Sequence, residues 1–133
     1  MLRVVTACLG VMLVVGCSGK PDKTTVVHKP RFQAVYTTAK ATLEATEKET
    51  TRDNFADLVR SFGIEATFAS DAAQSESERA CAQSYNRALE AYRESLKLWE
   101  EAGEANETVQ SRWQLAKSHI IHAEQFYSGA RRL

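Results

Sequence analysis

The chain has 133 residues, with 17 basic and 17 acidic side chains and 3 cysteines. Balanced charge argues against a nucleic-acid binder, which needs a basic surplus or stripe, and the length allows one domain with a modest core. Both prolines, Pro21 and Pro30, lie in the first quarter, and beyond them the only glycines are Gly63, Gly103 and Gly129. A proline-free stretch rich in Ala, Glu, Leu, Lys, Arg and Gln favours helix.

The chain opens with a single charge, Arg3, followed by the apolar run Val4 to Val15. A spanning helix needs about 20 apolar residues, so this run is too short to cross a bilayer. Its order of positive charge, short apolar core and small residue is that of a secretory signal. No Ala-x-Ala cleavage site stands near its end. Val14-Val15-Gly16-Cys17 instead resembles the lipobox of bacterial lipoproteins. That resemblance implies cleavage before Cys17, a diacylglycerol on its thiol and acylation of the new amino group. It makes residues 1–16 a signal peptide and Cys17 the lipid attachment site. No cofactor is expected beyond that covalent lipid. It also implies a bacterial source and a place in the cell envelope, on the periplasmic face of a membrane. In the family's sorting pattern Asp after the cysteine retains the protein in the inner membrane, and Ser18 is compatible with transfer to the outer membrane. Two or more acyl chains hold a protein stably at a bilayer surface. Cys8 would leave with the signal, so Cys81 would have no partner for an intramolecular disulfide.

Residues 17–31 read as the lipidated cysteine and a flexible tether: polar, proline-bearing and without helical period. The fourteen residues from Ser18 to Arg31 span roughly 20 Å as a coil. Lys20, Lys23, Lys29 and Arg31 outnumber Asp22 there, and each base adds about 1 kcal/mol near an anionic lipid surface; a solvated spacer is the plainer reading. Residues 32–133 form the helical domain. The first helix is expected over Phe32 to Glu49, with a stripe of Phe32, Val35, Ala39, Leu43 and Thr46. A turn with Asp53 as N-cap leads to a second helix, Asn54 to about Ser70, striped by Phe55, Leu58, Val59, Phe62, Ala66 and Ala69. Ser75 and Glu78 offer a capping box, but the apolar spacing runs on through the break, so one long helix over residues 54–102 is a second option. The third helix, Glu76 to Ala102, carries Cys81, Tyr85, Ala88, Leu89, Tyr92, Leu96 and Trp99 on one face and stops at Gly103. Asn106 caps a fourth, Glu107 to Gly129, striped by Val109, Trp113, Ala116, Ile120, Ala123 and Phe126 or Tyr127. Short connections make neighbours antiparallel. The expected fold is all-α: an up-down antiparallel bundle of four helices, or three with one long central helix.

Candidates for chemistry are sparse. His119 and His122 stand i,i+3 on one helix, but zinc needs a third and usually a fourth donor, so they are weak metal ligands. Cys81 is a free thiol with no base at a fixed spacing. The acids Glu100, Glu101, Glu76 and Glu78 fall on expected solvent faces. No phosphate loop, nucleophile elbow or haem motif is present, so no enzyme is expected. Tyr85-x-x-Ala88-Leu89-x-x-Tyr92-x-x-x-Leu96-x-Leu98 resembles the second helix of a tetratricopeptide repeat over about fourteen residues, but no 34-residue period recurs. The expectation is a membrane-anchored envelope lipoprotein that binds another envelope protein without catalysis. Its partners would be the bilayer, through the acylated N-terminus, and an envelope protein, with no nucleic acid. The alternative is a small-ligand or metal-binding bundle near His119, His122 and Cys81.

Overall fold

The computed structural model describes residues 30–128, with side chains from 32 to 126. The expected signal peptide, Cys17 and most of the expected tether lie outside the described residues. Four helices run in order: α1 (Pro30–Glu47), α2 (Arg52–Ala72), α3 (Glu76–Ala102) and α4 (Glu107–Ser128). Among the described residues there is no strand, and the architecture is an up-down helical bundle.

Each helix starts and stops for a local reason. α1 begins at Pro30, two residues before the expected start, because proline suits the first helical position, where no donor is required. The helix therefore takes in Pro30 and Arg31, which were expected to belong to the tether. α2 is capped by Thr51, not Asp53. The Thr51 hydroxyl accepts from the Asn54 amide at 3.1 Å, which moves the helix start two residues upstream and leaves Asp53 in the first turn, where it complements the helix dipole. The long-helix option fails at Ala73–Ser75. There Ser75 accepts from the Glu78 amide at 3.0 Å, and the Glu78 carboxylate accepts from the Gln74 amide at 2.8 Å. This is a capping box whose return bond reaches one residue further back than the usual form. It overturns the placing of Glu78 on a solvent face, since its side chain is fully buried. α3 ends where Gly103 adopts φ 80° and donates to the Trp99 carbonyl at 2.8 Å. Asn106 caps α4 through the Val109 amide at 3.1 Å.

One core joins all four stripes. Phe32, Val35, Ala39 and Leu43 of α1 meet Phe55, Val59, Phe62, Ala66 and Ala69 of α2, the Cys81-to-Tyr92 face of α3, and Ala116, Ile120 and Ala123 of α4. A connected run of rings threads it. Phe62 lies edge-on to Tyr85 and Tyr92, both at 6.2 Å, and Phe55 reaches Tyr92, Trp99 and Trp113. Edge-to-face pairs of this kind add to simple burial. α3 and α4 share the most extensive interface. Two ion pairs, Lys40–Glu124 at 3.0 Å and Lys117–Glu47 at 2.6 Å, link α1 to α4.

Thr38, Thr42 and Thr46 of α1 each donate a hydroxyl proton back to a carbonyl three or four residues earlier. That satisfies the fully buried Thr42 without a partner on another helix.

Candidate binding face

The cross-bundle contacts define two ends. Ser70 pairs with Asn86, and Arg93 lies over Gly63, so α2 and α3 run antiparallel. Lys40–Glu124 and Glu47–Lys117 do the same for α1 and α4. One end thus holds the start of α1 and α3 and the close of α2 and α4. The other holds the α1–α2 and α3–α4 connections.

The first end carries an open depression of about 260 Å³ lined by Ser70, Ala73, Arg79, Ala82, Gln83 and Asn86; the second carries two that adjoin. An open depression of about 390 Å³ is lined by Thr51, Arg52, Asp53, Trp99 and Gly103. A second, of about 520 Å³, is lined by Glu49, Thr50, Thr51 and Asn54. They share Thr51 and so lie side by side. Trp99 is half-buried and stands over the core at its edge, 6.0 Å from Phe55 and 5.8 Å from Trp113. The Trp113 indole donates to the Ser95 hydroxyl at 3.0 Å, and that hydroxyl donates to the Tyr92 carbonyl at 2.6 Å. These bonds orient Trp113, against which Trp99 packs beneath a polar rim that includes Arg52, Asp53 and Glu49.

The residues singled out from sequence do not form a joint site. His122 lies on the α3–α4 seam, its Nδ1 sharing a 2.8 Å hydrogen bond with the buried Ser84 hydroxyl and its ring edge-on to Phe126 at 5.5 Å. His119 sits one turn away. Burial, then the charge of Arg87 and then His122, hold its imidazole below the ordinary histidine value. Cys81 faces the core. It is fully buried, its thiol donates to the Ala123 carbonyl at 3.6 Å, and burial reinforced by the Glu78 carboxylate pushes its pKa up to about 12. A thiol so held stays protonated and is a poor nucleophile or metal ligand. Among the described residues no three His, Cys, Asp or Glu side chains converge as a metal site would need. Glu76, Glu100 and Glu101 are exposed, as expected.

Two features escaped the sequence reading. Ile64 and Phe68, outside the α2 stripe, are 52% and 61% exposed; their i,i+4 spacing was the available signal. The cross-helix bonds Ser84–His122 and Ser95–Trp113 had no such signal, because they depend on the relative phase of two helices. Among the described residues no helix is long and apolar enough to cross a membrane. No protein family, curated protein or solved structure matches the chain.

Proposed function

We propose that the chain is an envelope lipoprotein, held at the membrane by lipid on Cys17, whose bundle binds another envelope protein without catalysing a reaction. The observation that carries the binding role is the pair of adjoining depressions beside Trp99. They lie at the end of the bundle remote from Pro30, and hence remote from the anchor. A half-buried tryptophan backed by packed rings and ringed by polar groups is the composition that protein interfaces concentrate at their centres. The anchor role rests on the Val14-Val15-Gly16-Cys17 motif and the charged, short apolar segment before it.

The test places a photo-activatable side chain at Arg52, beside Trp99, and separately at Glu90, on the outer face of α3. Both full-length proteins are irradiated in intact cell envelopes. The expected result is a discrete adduct with one envelope protein from position 52 and none from position 90. Equal labelling from both positions, or none from position 52, refutes the assigned face. Intact mass of the purified chain tests the anchor separately: it must begin at Cys17 and carry the added acyl chains.

A further inference from the structure

The break between α2 and α3 leaves a cleft at the first end of the bundle. α2 closes at Ala72, and Ala73 leaves the helix in an extended conformation, φ −63° and ψ 129°. Ala73 and Ala82 are too small to fill the space beside the break, and the depression of about 260 Å³ is walled by Ser70, Arg79, Gln83 and Asn86. Its walls are tied together. The Asn86 amide nitrogen donates to the Ser70 hydroxyl at 2.7 Å and to the Ala82 carbonyl at 2.9 Å, joining α2 to α3. The Ser70 hydroxyl is the acceptor in that bond and keeps its own proton to give. Arg79 is turned toward the break. Its guanidinium donates to the Gln74 carbonyl at 3.4 Å, while the Glu78 carboxylate accepts from the Gln74 amide at 2.8 Å. That long bond uses one of the five donors of the guanidinium. The exposed acids nearest in sequence, Asp71 and Glu76, form no ion pair with Arg79 among the described residues. Gln83, also exposed, adds an amide to the same wall.

We infer that this cleft binds the carboxylate of a short apolar acid, with Arg79 as the anchoring charge. The donors decide the sign of the ligand. A guanidinium without a carboxylate partner, an amide and a hydroxyl proton line one depression, and a guanidinium takes a carboxylate through paired hydrogen bonds. The walls decide its body. The methyl groups of Ala73 and Ala82 supply an apolar surface that a bare inorganic ion would leave uncovered. The volume decides its size: drug-sized ligands occupy pockets of about 300–1,000 Å³, and 260 Å³ suits a smaller molecule. A peptide terminus and a free acid present this same group. The cleft shares no residue with the depressions beside Trp99, which lie at the opposite end. The inference stands whether or not the chain carries lipid.

The probe is N-acetylalanine, titrated into full-length isotope-labelled protein in a nonionic detergent and followed by amide chemical shifts. The expected result is saturable shifts at Ala73, Gln83 and Asn86, with a dissociation constant on the order of 1 mM for so small a ligand in an open cleft. The neutral N-acetylalaninamide should cause none. Arg79 is exposed, so Arg79→Gln leaves the bundle intact; it should weaken binding about tenfold or more. Ala73→Leu, which fills the cleft, should abolish it. N-acetylglycylglycylalanine carries the same terminus on a longer chain and separates the two sources. Tighter binding than N-acetylalanine assigns the group to a peptide end and weaker binding to a free acid, and either supports the cleft. Four results overturn the inference. One is no saturable shift at probe concentrations about ten times the expected constant. Another is equal shifts from the acid and its amide. A third is unchanged binding in Arg79→Gln. The last is inorganic phosphate binding as tightly as N-acetylalanine, since the apolar walls would then contribute nothing.

Discussion

Replacing Phe55 with alanine is the sharpest probe of the packing beneath the candidate face. Phe55 is fully buried, and its ring meets three others on two neighbouring helices: Tyr92 at 5.7 Å, Trp99 at 6.0 Å and Trp113 at 5.6 Å. Removing a buried phenyl ring costs about 3–5 kcal/mol, more where the surroundings cannot collapse into the space. Collapse is resisted here, because Trp113 is fixed by its bond to Ser95 and Tyr92 is held edge-on by Phe62. A loss of about 4 kcal/mol is therefore expected, a large share of the roughly 5–15 kcal/mol available to a domain. Urea titration monitored in parallel by tryptophan emission and by far-ultraviolet circular dichroism measures it. The two transitions should coincide, with a lowered midpoint and an unchanged slope. Phe68→Ala, on the exposed face, should change stability by less than about 0.5 kcal/mol in the same assay. A loss below about 1 kcal/mol for Phe55→Ala, inside the range of ordinary substitutions, would refute the ring cluster as described.

Other perturbations separate backbone, capping and titration effects. At Gly63 an added Cβ would sit 2.7 Å from the Arg93 guanidinium, the free end of a flexible exposed side chain. Gly63→Ala should leave urea stability unchanged or raise it by up to about 1 kcal/mol. At Gly103 nothing lies within 4 Å, but φ is 80°, so Gly103→Ala should cost about 1–2 kcal/mol through backbone strain alone. Ser75→Ala, which removes the α3 cap, should cost about 1 kcal/mol. Cys81 should resist a thiol reagent in the native state at mildly alkaline pH and react once urea unfolds the chain. The unfolded thiol ionises near 9.0, whereas the folded one is pushed up to about 12. Its contribution to stability is therefore whole below pH 9.0 and lost as pH rises toward 12. Cys81→Ala should flatten that alkaline decline in urea titrations across the same range.

The helices were legible because each boundary has a chemical marker. Ser75 and Gly103 bracket α3 at the residues the structure uses, since a hydroxyl acceptor and a residue free to take positive φ are local requirements. Where two markers compete, sequence alone chose wrongly. Thr51 and Asp53 can both cap α2, and Thr51 is selected because its hydroxyl reaches the Asn54 amide. Pro30 reads as part of the tether in sequence but serves as a helix initiator, because a first turn needs no amide donor at that position. Glu78 lies within the charged run at the head of α3, yet its carboxylate folds back to the Gln74 amide and is covered by the bundle. The candidate face was less legible than the fold. Trp99 stood out as a stripe residue, but its meeting with Thr51, Arg52 and Asp53 depends on how two connections close over one end. Ile64 and Phe68 lay in plain view, but apolar periodicity attends to the residues that agree with the stripe and passes over those that do not.

The position of α1 has a mechanical consequence. Among the described helices it is the first to bear any load applied through the N-terminal side of the chain. Such a load enters at Pro30, beside Phe32 and Val35, and travels along the helix toward Glu47. Because the load and the free end of the seam coincide, a pull directed away from the bundle opens the contacts one turn at a time, like a zipper. Phe32 would part first, and then the Lys40–Glu124 and Lys117–Glu47 pairs in succession. Separation of this kind needs far less force than sliding two helices past each other. The tight α3–α4 hairpin would stay whole while α1 yields, so the bundle contains its own weak link, placed on its N-terminal side.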